Sequence, residues 1–282
     1  MATRLAVLGQ PIAHSLSPQL HNAAYATMGL DWEYTAIEVA EAELEMFLAG
    51  EGSTLRGCSA TMPLKQELLR LAAHADETAV LTDAANTVIG MDTGQLRVFN
   101  TDPEGIVNAA HAVGLESVRH AILLGGGATA SSSLAALAQL GAVSVEVRMR
   151  DARKAGALWT LAEALGLELT IDHLDPDRAD ARVGDADLLI STLPARVADS
   201  LSAQYAEAAA VLLDVAYEPW PSQLAQAASN SGARVISGLE MLYEQAVIQI
   251  RIFLGGDPEV PLPDEARVRD AMRRAIPALC QD

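Results

Sequence analysis

The run HAILLGGGATASSSLAALAQLGA, residues 120–142, decides how the rest of the chain is read. It opens with a short apolar stretch, passes three consecutive glycines at Gly125, Gly126 and Gly127, and continues in small residues with helical period. A buried strand, a tight turn and a helix account for that pattern. Glycines permit positive φ and close backbone approach, and the free N–H groups and dipole of a helix start attract a pyrophosphate. The spacing is G-x-G-x-x-A, with Ala130 where a third glycine can stand, and the mechanics are those of a dinucleotide site. The same turn also occurs as a plain strand-to-helix connection, so the surroundings must arbitrate.

The strand that follows ends in Arg148, Met149 and Arg150, with Asp151 and Lys154 just beyond. Arg150 and Lys154 form a basic pair suited to a 2′-phosphate, which favours NADP. Asp151 is an anion in the same place and suits NAD, unless it turns away to cap the next helix. Both cofactors stay open on these residues.

Outward from this point, β-rich runs alternate with helical ones. On the N-terminal side the strands are residues 4–9, 33–39 and 57–62, followed by 86–90 and 96–100. On the C-terminal side they are 143–149, 167–171, 188–191, 211–215 and 234–236. Such alternation predicts parallel α/β layers. Residues 239–253 and 264–275 read as two helices without a further strand. A helical tail that returns to the first unit gives a two-domain α/β chain. Residues 1–101 form an N-terminal α/β domain, 102–238 an inserted Rossmann-like dinucleotide-binding domain, and 239–282 the returning helices.

The composition excludes several classes. A formal charge of −18 and pI near 4.6 oppose binding to nucleic acid or anionic membranes. No stretch is apolar enough to span a bilayer, and the start carries no secretory pattern. Cys58 and Cys280 lie far apart and outside any metal-binding spacing, so no metal and no disulfide framework is expected, and a reducing cytoplasm fits. His14 has no partner set with triad or metal spacing and is read as structural. G-x-S-x-G, P-loop and H-E-x-x-H patterns are missing, which removes the common hydrolase, NTPase and zincin chemistries.

The N-terminal half carries Gln10-Pro11-Ile12-Ala13-His14-Ser15-Leu16-Ser17-Pro18, Ser59-Ala60-Thr61-Met62-Pro63-Leu64-Lys65, Ala84-Ala85-Asn86-Thr87 and Asn100-Thr101-Asp102-Pro103-Glu104-Gly105. Taken singly, these have plain readings: Ser17 before Pro18 suits a helix cap, Asn86 a turn, Lys65 and Asp102 an ordinary ion pair. Together and in this order they resemble the shikimate dehydrogenase family, whose patterns run roughly G-x-P-I-x-H-S-x-S-P, N-V-T-x-P-x-K, G-A-x-N-T and N-T-D-x-x-G. The resemblance extends through the glycine turn, Asp214-Val215-Ala216-Tyr217 and Gly238-Leu239-Glu240-Met241-Leu242-Tyr243-Glu244-Gln245-Ala246, so it covers nearly the whole chain.

The resemblance implies reversible NADPH-dependent reduction of 3-dehydroshikimate to shikimate, a step toward aromatic amino-acid precursors, in a cytoplasmic monomer or homodimer. It makes Lys65 and Asp102 the catalytic pair, which suits the chemistry, since hydride leaves an alcohol carbon readily only when a base takes the hydroxyl proton. It places Ser15, Ser17 and Tyr217 at the substrate carboxylate, and Thr61, Asn86, Asp102 and Gln245 at the ring hydroxyls. Gly125, Gly126, Gly127, Ala128, Thr129, Ala130, Arg150, Lys154, Thr192 and Gly238 make up the cofactor set. The chain departs from the family's patterns at Ser59, where Asn is usual, at Ala128, at Met149 and Asp151, and at Leu193-Pro194-Ala195, where T-S-x-G is usual near the nicotinamide. Two rival readings remain: an NAD-dependent quinate/shikimate dehydrogenase, and a non-catalytic module that binds a nucleotide or a shikimate-like acid.

Overall fold

The computed structural model describes residues 2–175 and 186–280. The chain divides into two compact units, one made of the residues up to Thr101 with those from Leu242 on, the other of Asp102–Met241.

The first unit contains β1 (Thr3–Gly9), α1 (Ser17–Met28), β2 (Trp32–Glu38), α2 (Leu44–Ala49), β3 (Gly57–Ala60), α3 (Lys65–Leu71), β4 (His74–Ala75), α4 (Glu77–Thr82), β5 (Thr87–Ile89) and β6 (Arg97–Phe99). Its sheet runs β2-β1-β3-β5-β6-β4. β1 pairs in parallel with β2 and β3, as the alternation of strands and helices predicts, but β5 is antiparallel to both β3 and β6. For β5 and β6 the reason is length: residues 90–96 link them directly, too short for the crossover that a parallel pair requires.

The second unit contains α5 (Asp102–Ala112), β7 (His120–Leu124), α6 (Ala128–Gln139), β8 (Ser144–Met149), α7 (Gly156–Leu165), β9 (Glu168–His173), β10 (Ala186–Ser191), α8 (Ser202–Tyr205), β11 (Ala209–Asp214), α9 (Gln223–Asn230) and β12 (Arg234–Ser237). All its strand pairs are parallel, in the order β12-β11-β10-β7-β8-β9. Counted within the unit this is 6-5-4-1-2-3, the doubly wound dinucleotide-binding order. Its strands are apolar on both faces: Leu123, Val145, Val147 and Ile190 feed one core, Ile122, Leu124, Leu189 and Leu212 the other. Helix α6 is made of small residues, and the hydroxyls of its buried Ser132 and Ser133 turn back onto the carbonyls of Ala128 and Thr129.

The last helices, α10 (Gly238–Gly255) and α11 (Glu265–Ala275), serve mainly the first unit. Phe253 packs near His21 and Tyr34, α11 packs on α1, and Arg56 donates to the carbonyls of Phe253 and Leu254 at the end of α10. The sequence places the second crossing at Gly238. The division falls three residues later, because Met241 is buried in the core of the second unit.

Candidate active site

In the first unit the loops after β1 and β3 are stitched together. Thr61 N–H donates to Leu8 O at 2.9 Å and Gln10 N–H to Met62 O at 3.1 Å. Gly9 makes this approach feasible, since a β-carbon there would meet the Thr61 methyl at 2.5 Å. Asn86 lies alongside: its carbonyl accepts from Ala60 N–H at 2.8 Å, and Ala85 N–H donates to the carbonyl of Lys65, the half-buried first residue of α3.

Asn86 is a hub rather than a plain turn amide. Its Oδ1 accepts from Thr101 N–H at 3.0 Å and from the Thr87 hydroxyl at 2.8 Å. Gln245 Oε1, on α10, accepts from Asn86 Nδ2 at 3.5 Å and from the Thr101 hydroxyl at 3.3 Å. Asn86, Thr101 and Gln245 are all buried, so this is a polar centre inside a mostly apolar unit, and its amide ends are oriented by their partners.

The serines do not act as the helix cap that Ser17 before Pro18 suggests. Leu16 occupies the N-cap position of α1 and no side chain caps it, while Ser15 Oγ accepts from Ser17 N–H at 3.4 Å. Asp102 opens α5 with only 4% of its surface exposed. It belongs to the second unit, as does the half-buried Tyr217.

In the second unit the glycine turn follows β7 at the point where strand order reverses, beside the end of β10. Gly125 has φ of 114°, and a β-carbon there would strike the Thr192 hydroxyl. Thr192 holds the turn through two bonds, its N–H and its hydroxyl both donating to Leu124 O, at 2.8 and 2.9 Å. A β-carbon on Gly127 would meet nothing within 4 Å, and Gly127 caps α6 with extended backbone and no side-chain cap. Ala128 and Thr129 therefore begin a helix whose first N–H groups have no intrahelical acceptor, while Ala130 is fully buried. An open cradle of amides at the switch point fits a dinucleotide pyrophosphate.

The charges after β8 sort themselves by direction. Arg148 is buried and paired with Glu146 and, at 3.1 Å, with Asp172. Arg150 and Lys154 are exposed. Asp151 caps the turn Ala152–Lys154 by accepting from Arg153 N–H at 3.2 Å, and the Arg153 guanidinium binds the same carboxylate at 2.8 and 3.1 Å, holding it below its ordinary pKa. The acid is thus engaged with Arg153, the arrangement that the helix-cap reading requires. Gly238 is buried, and a β-carbon there would collide with the carbonyl of Val215.

Further features of these surroundings emerge only from the three-dimensional contacts. Asp214 is buried at the end of β11, where burial pushes its carboxyl pKa up against the Ser222 hydroxyl that donates to it at 2.6 Å. Both border a cavity of about 290 Å³ with Leu193 and Pro194, which places the chain's departure from T-S-x-G on the wall of that space. Ser59, where the family usually has Asn, is buried and bonded to the Tyr34 hydroxyl. Among the histidines, His14 is exposed while His21 is completely buried.

Comparison with known proteins agrees with this geometry. Residues 7–88 match the model of the shikimate dehydrogenase substrate binding domain. The chain is 33% identical to a shikimate dehydrogenase (NADP(+)) of Rubrobacter xylanophilus, over 96% of this chain and 94% of that one. The crystal structure of Mycobacterium tuberculosis shikimate dehydrogenase superposes with a TM-score of 0.85 at 40% identity, covering 97% of this chain and all (100%) of that one. A Thermus thermophilus shikimate 5-dehydrogenase, solved in complex with NADP(H) and shikimate, gives 0.77 at 31% identity, with coverage of 97% and 100%. The Asn86 hub, the glycine turn at a doubly wound switch point and these relatives lead to one statement: the chain belongs to the shikimate dehydrogenase family.

Proposed function

We propose that the protein is a shikimate dehydrogenase, reducing 3-dehydroshikimate to shikimate with NADPH and running in reverse with NADP+. The observation that carries this reading is the pairing of a buried amide and hydroxyl centre, Asn86, Thr101 and Gln245, with an open amide cradle after β7 in the same chain. The former suits a polyhydroxylated ring and the latter a dinucleotide.

NADPH, when bound, supplies the hydride. The protein's part is to hold the ring and manage one proton. Ser15, Ser17 and Tyr217 receive the substrate carboxylate through their hydroxyls, and Thr61, Asn86 and Gln245 bind the ring hydroxyls. Lys65 and Asp102 form the acid/base pair: they protonate the oxygen of the ketone as its carbon is reduced, and in reverse take that proton from the alcohol. Arg150 and Lys154 receive the 2′-phosphate, and Gly125, Gly126, Gly127, Ala128, Thr129 and Ala130 line the pyrophosphate. The engagement of Asp151 with Arg153 supports NADP over NAD. Two free cysteines, Cys58 and Cys280, accord with work in the cytoplasm.

Absorbance assays of NADP+ and NAD+ reduction, each with shikimate and with quinate, test the reading. Shikimate with NADP+ should give the highest kcat/KM, and Lys65→Ala should lower kcat far more than it raises KM. Preference for NAD+ and quinate, or ligand binding without turnover in any pairing, would replace the reading with one of its rivals.

A further inference from the structure

Gln249 lies one helical turn beyond Gln245 on α10, so the two side chains share a face. Gln245 reaches the side chain of Asn86, and Gln249 Nε2 donates to the main-chain carbonyl of the same residue at 3.4 Å. One helix therefore grips Asn86 at both ends. Gln249 is 2% exposed, and the reaction described above leaves it unused.

The other end of its amide points to a second buried group. Among the described residues, Gln249 Oε1 and His21 Nε2 are two of three buried side-chain polar atoms without a hydrogen-bond partner. Burial drives the pKa of His21 down to about 3 against a weaker opposing pull from the Gln249 side chain, which marks that amide as a polar neighbour of the imidazole. The imidazole, stacked on Tyr34 at 3.9 Å between ring centres, is therefore neutral and carries one N–H.

Its position follows from the partner on the opposite edge. Nδ1 lies 3.1 Å from the hydroxyl of Tyr25, itself buried, where burial raises the phenol pKa and keeps the proton in place. With the Tyr25 O–H donating a hydrogen bond to Nδ1, the imidazole proton resides on Nε2, and the buried Gln249 Oε1, left without another partner, is the acceptor it can turn to. The amide's N–H end is then left for Asn86.

We infer that Gln249, oriented by His21, is a positioning residue for substrate: a one-way series of donors from Tyr25 through His21 and Gln249 to the Asn86 carbonyl fixes the amide that meets the ring hydroxyls. This rests on the proposed role of Asn86 as a substrate contact. Cooperative strengthening along such a series makes each member depend on the next.

The decisive variant is Gln249→Met, which keeps length and removes both bonds. The expected result is a rise of about tenfold in KM for shikimate, a smaller fall in kcat, and a KM for NADP+ changed by less than about twofold. A purely structural role would lower Tm and move both KM values together. In the intact protein, nitrogen-15 NMR of the imidazoles should show His21 as the Nε2–H tautomer. An Nδ1–H tautomer, or an unchanged shikimate KM in folded Gln249→Met, overturns the inference. Should that variant fail to fold, His21→Phe retains the ring on Tyr34 and should raise shikimate KM in the same direction; no rise counts against the inference. If the wild-type protein turns over no shikimate, the proposed function fails instead, and the tautomer still decides the donor series.

Discussion

The hydroxyl of Thr192 stands where a β-carbon on residue 125 would lie, and it is held there by its bond to the carbonyl of Leu124. Two neighbouring parallel strands are thereby joined just where the dinucleotide cradle opens. Gly125→Ala must both adopt a φ of 114° and displace Thr192, so it should destabilise the second unit by about 2–4 kcal/mol and abolish NADP+ turnover. Gly127→Ala has free space around it and should leave Tm within about 1 °C while raising KM for NADP+ by about tenfold, through crowding of the phosphate. Thermal melts and cofactor kinetics on the two variants separate turn geometry from binding.

Cofactor preference should follow the direction of the charges after β8. Arg150→Ala is expected to cost about 1–2 kcal/mol of NADP+ binding, about a tenfold rise in KM, with little change toward NAD+. Because Asp151 is already engaged with Arg153, Asp151→Asn should alter the ratio of kcat/KM for the two cofactors by less than about threefold. A large gain in NADP+ preference on that substitution would mean that the acid faces the ribose.

The buried Tyr34–Ser59 pair gives a stability test. Ser59→Ala leaves the Tyr34 hydroxyl without that partner and should cost about 1–3 kcal/mol, whereas adding Tyr34→Phe removes both polar ends and should recover much of the loss. Chemical denaturation of the two singles and the double measures the coupling. Simple additivity would show that the hydroxyls do not depend on one another.

Acid should loosen the returning helices through Glu265. Burial alone would raise its pKa, but bonds from Arg251 at 2.9 and 2.6 Å and from Leu262 N–H at 2.8 Å hold the carboxyl at about 2, against an ordinary value of 4.5. The folded pKa lies below the unfolded one, so the stabilisation is present above about pH 4.5 and fades as pH falls toward 2. Glu265→Gln should therefore cost about 1–2 kcal/mol at pH 7 and nearly nothing at pH 2. Melting curves across that range provide the comparison.

The doubly wound half was legible because it writes its physics into contiguous residues. Four successive buried positions in β7, three glycines and a helix of small residues cannot be arranged in many ways. The first unit was less open to reading. Strands of two and three residues at β4, β5 and β6 have too little pattern to reveal direction, so the antiparallel pairing of β5 with β6 emerges only from the short link between them.

Side-chain direction was the other blind point. Nothing in the order Arg148, Met149, Arg150, Asp151 tells which cation turns inward, and the answer depends on Glu146 and Asp172 across the strand face. His21 and Gln249 belong to no catalytic pattern. The one available hint was that Gln249 follows Gln245 by four residues on a helix, a spacing that on its own describes any buried stripe.

The discontinuity of the first unit also orders events at the ribosome. By the time Met241 has been made, every strand of the second unit exists and its crossovers can close. The first unit still lacks α10 and α11, and with them Phe253 against His21 and Tyr34 and the face that α11 lays on α1. The segment made first is therefore completed last. Until then its apolar face stays uncovered, so the exposure to misassembly during synthesis is concentrated in the N-terminal third.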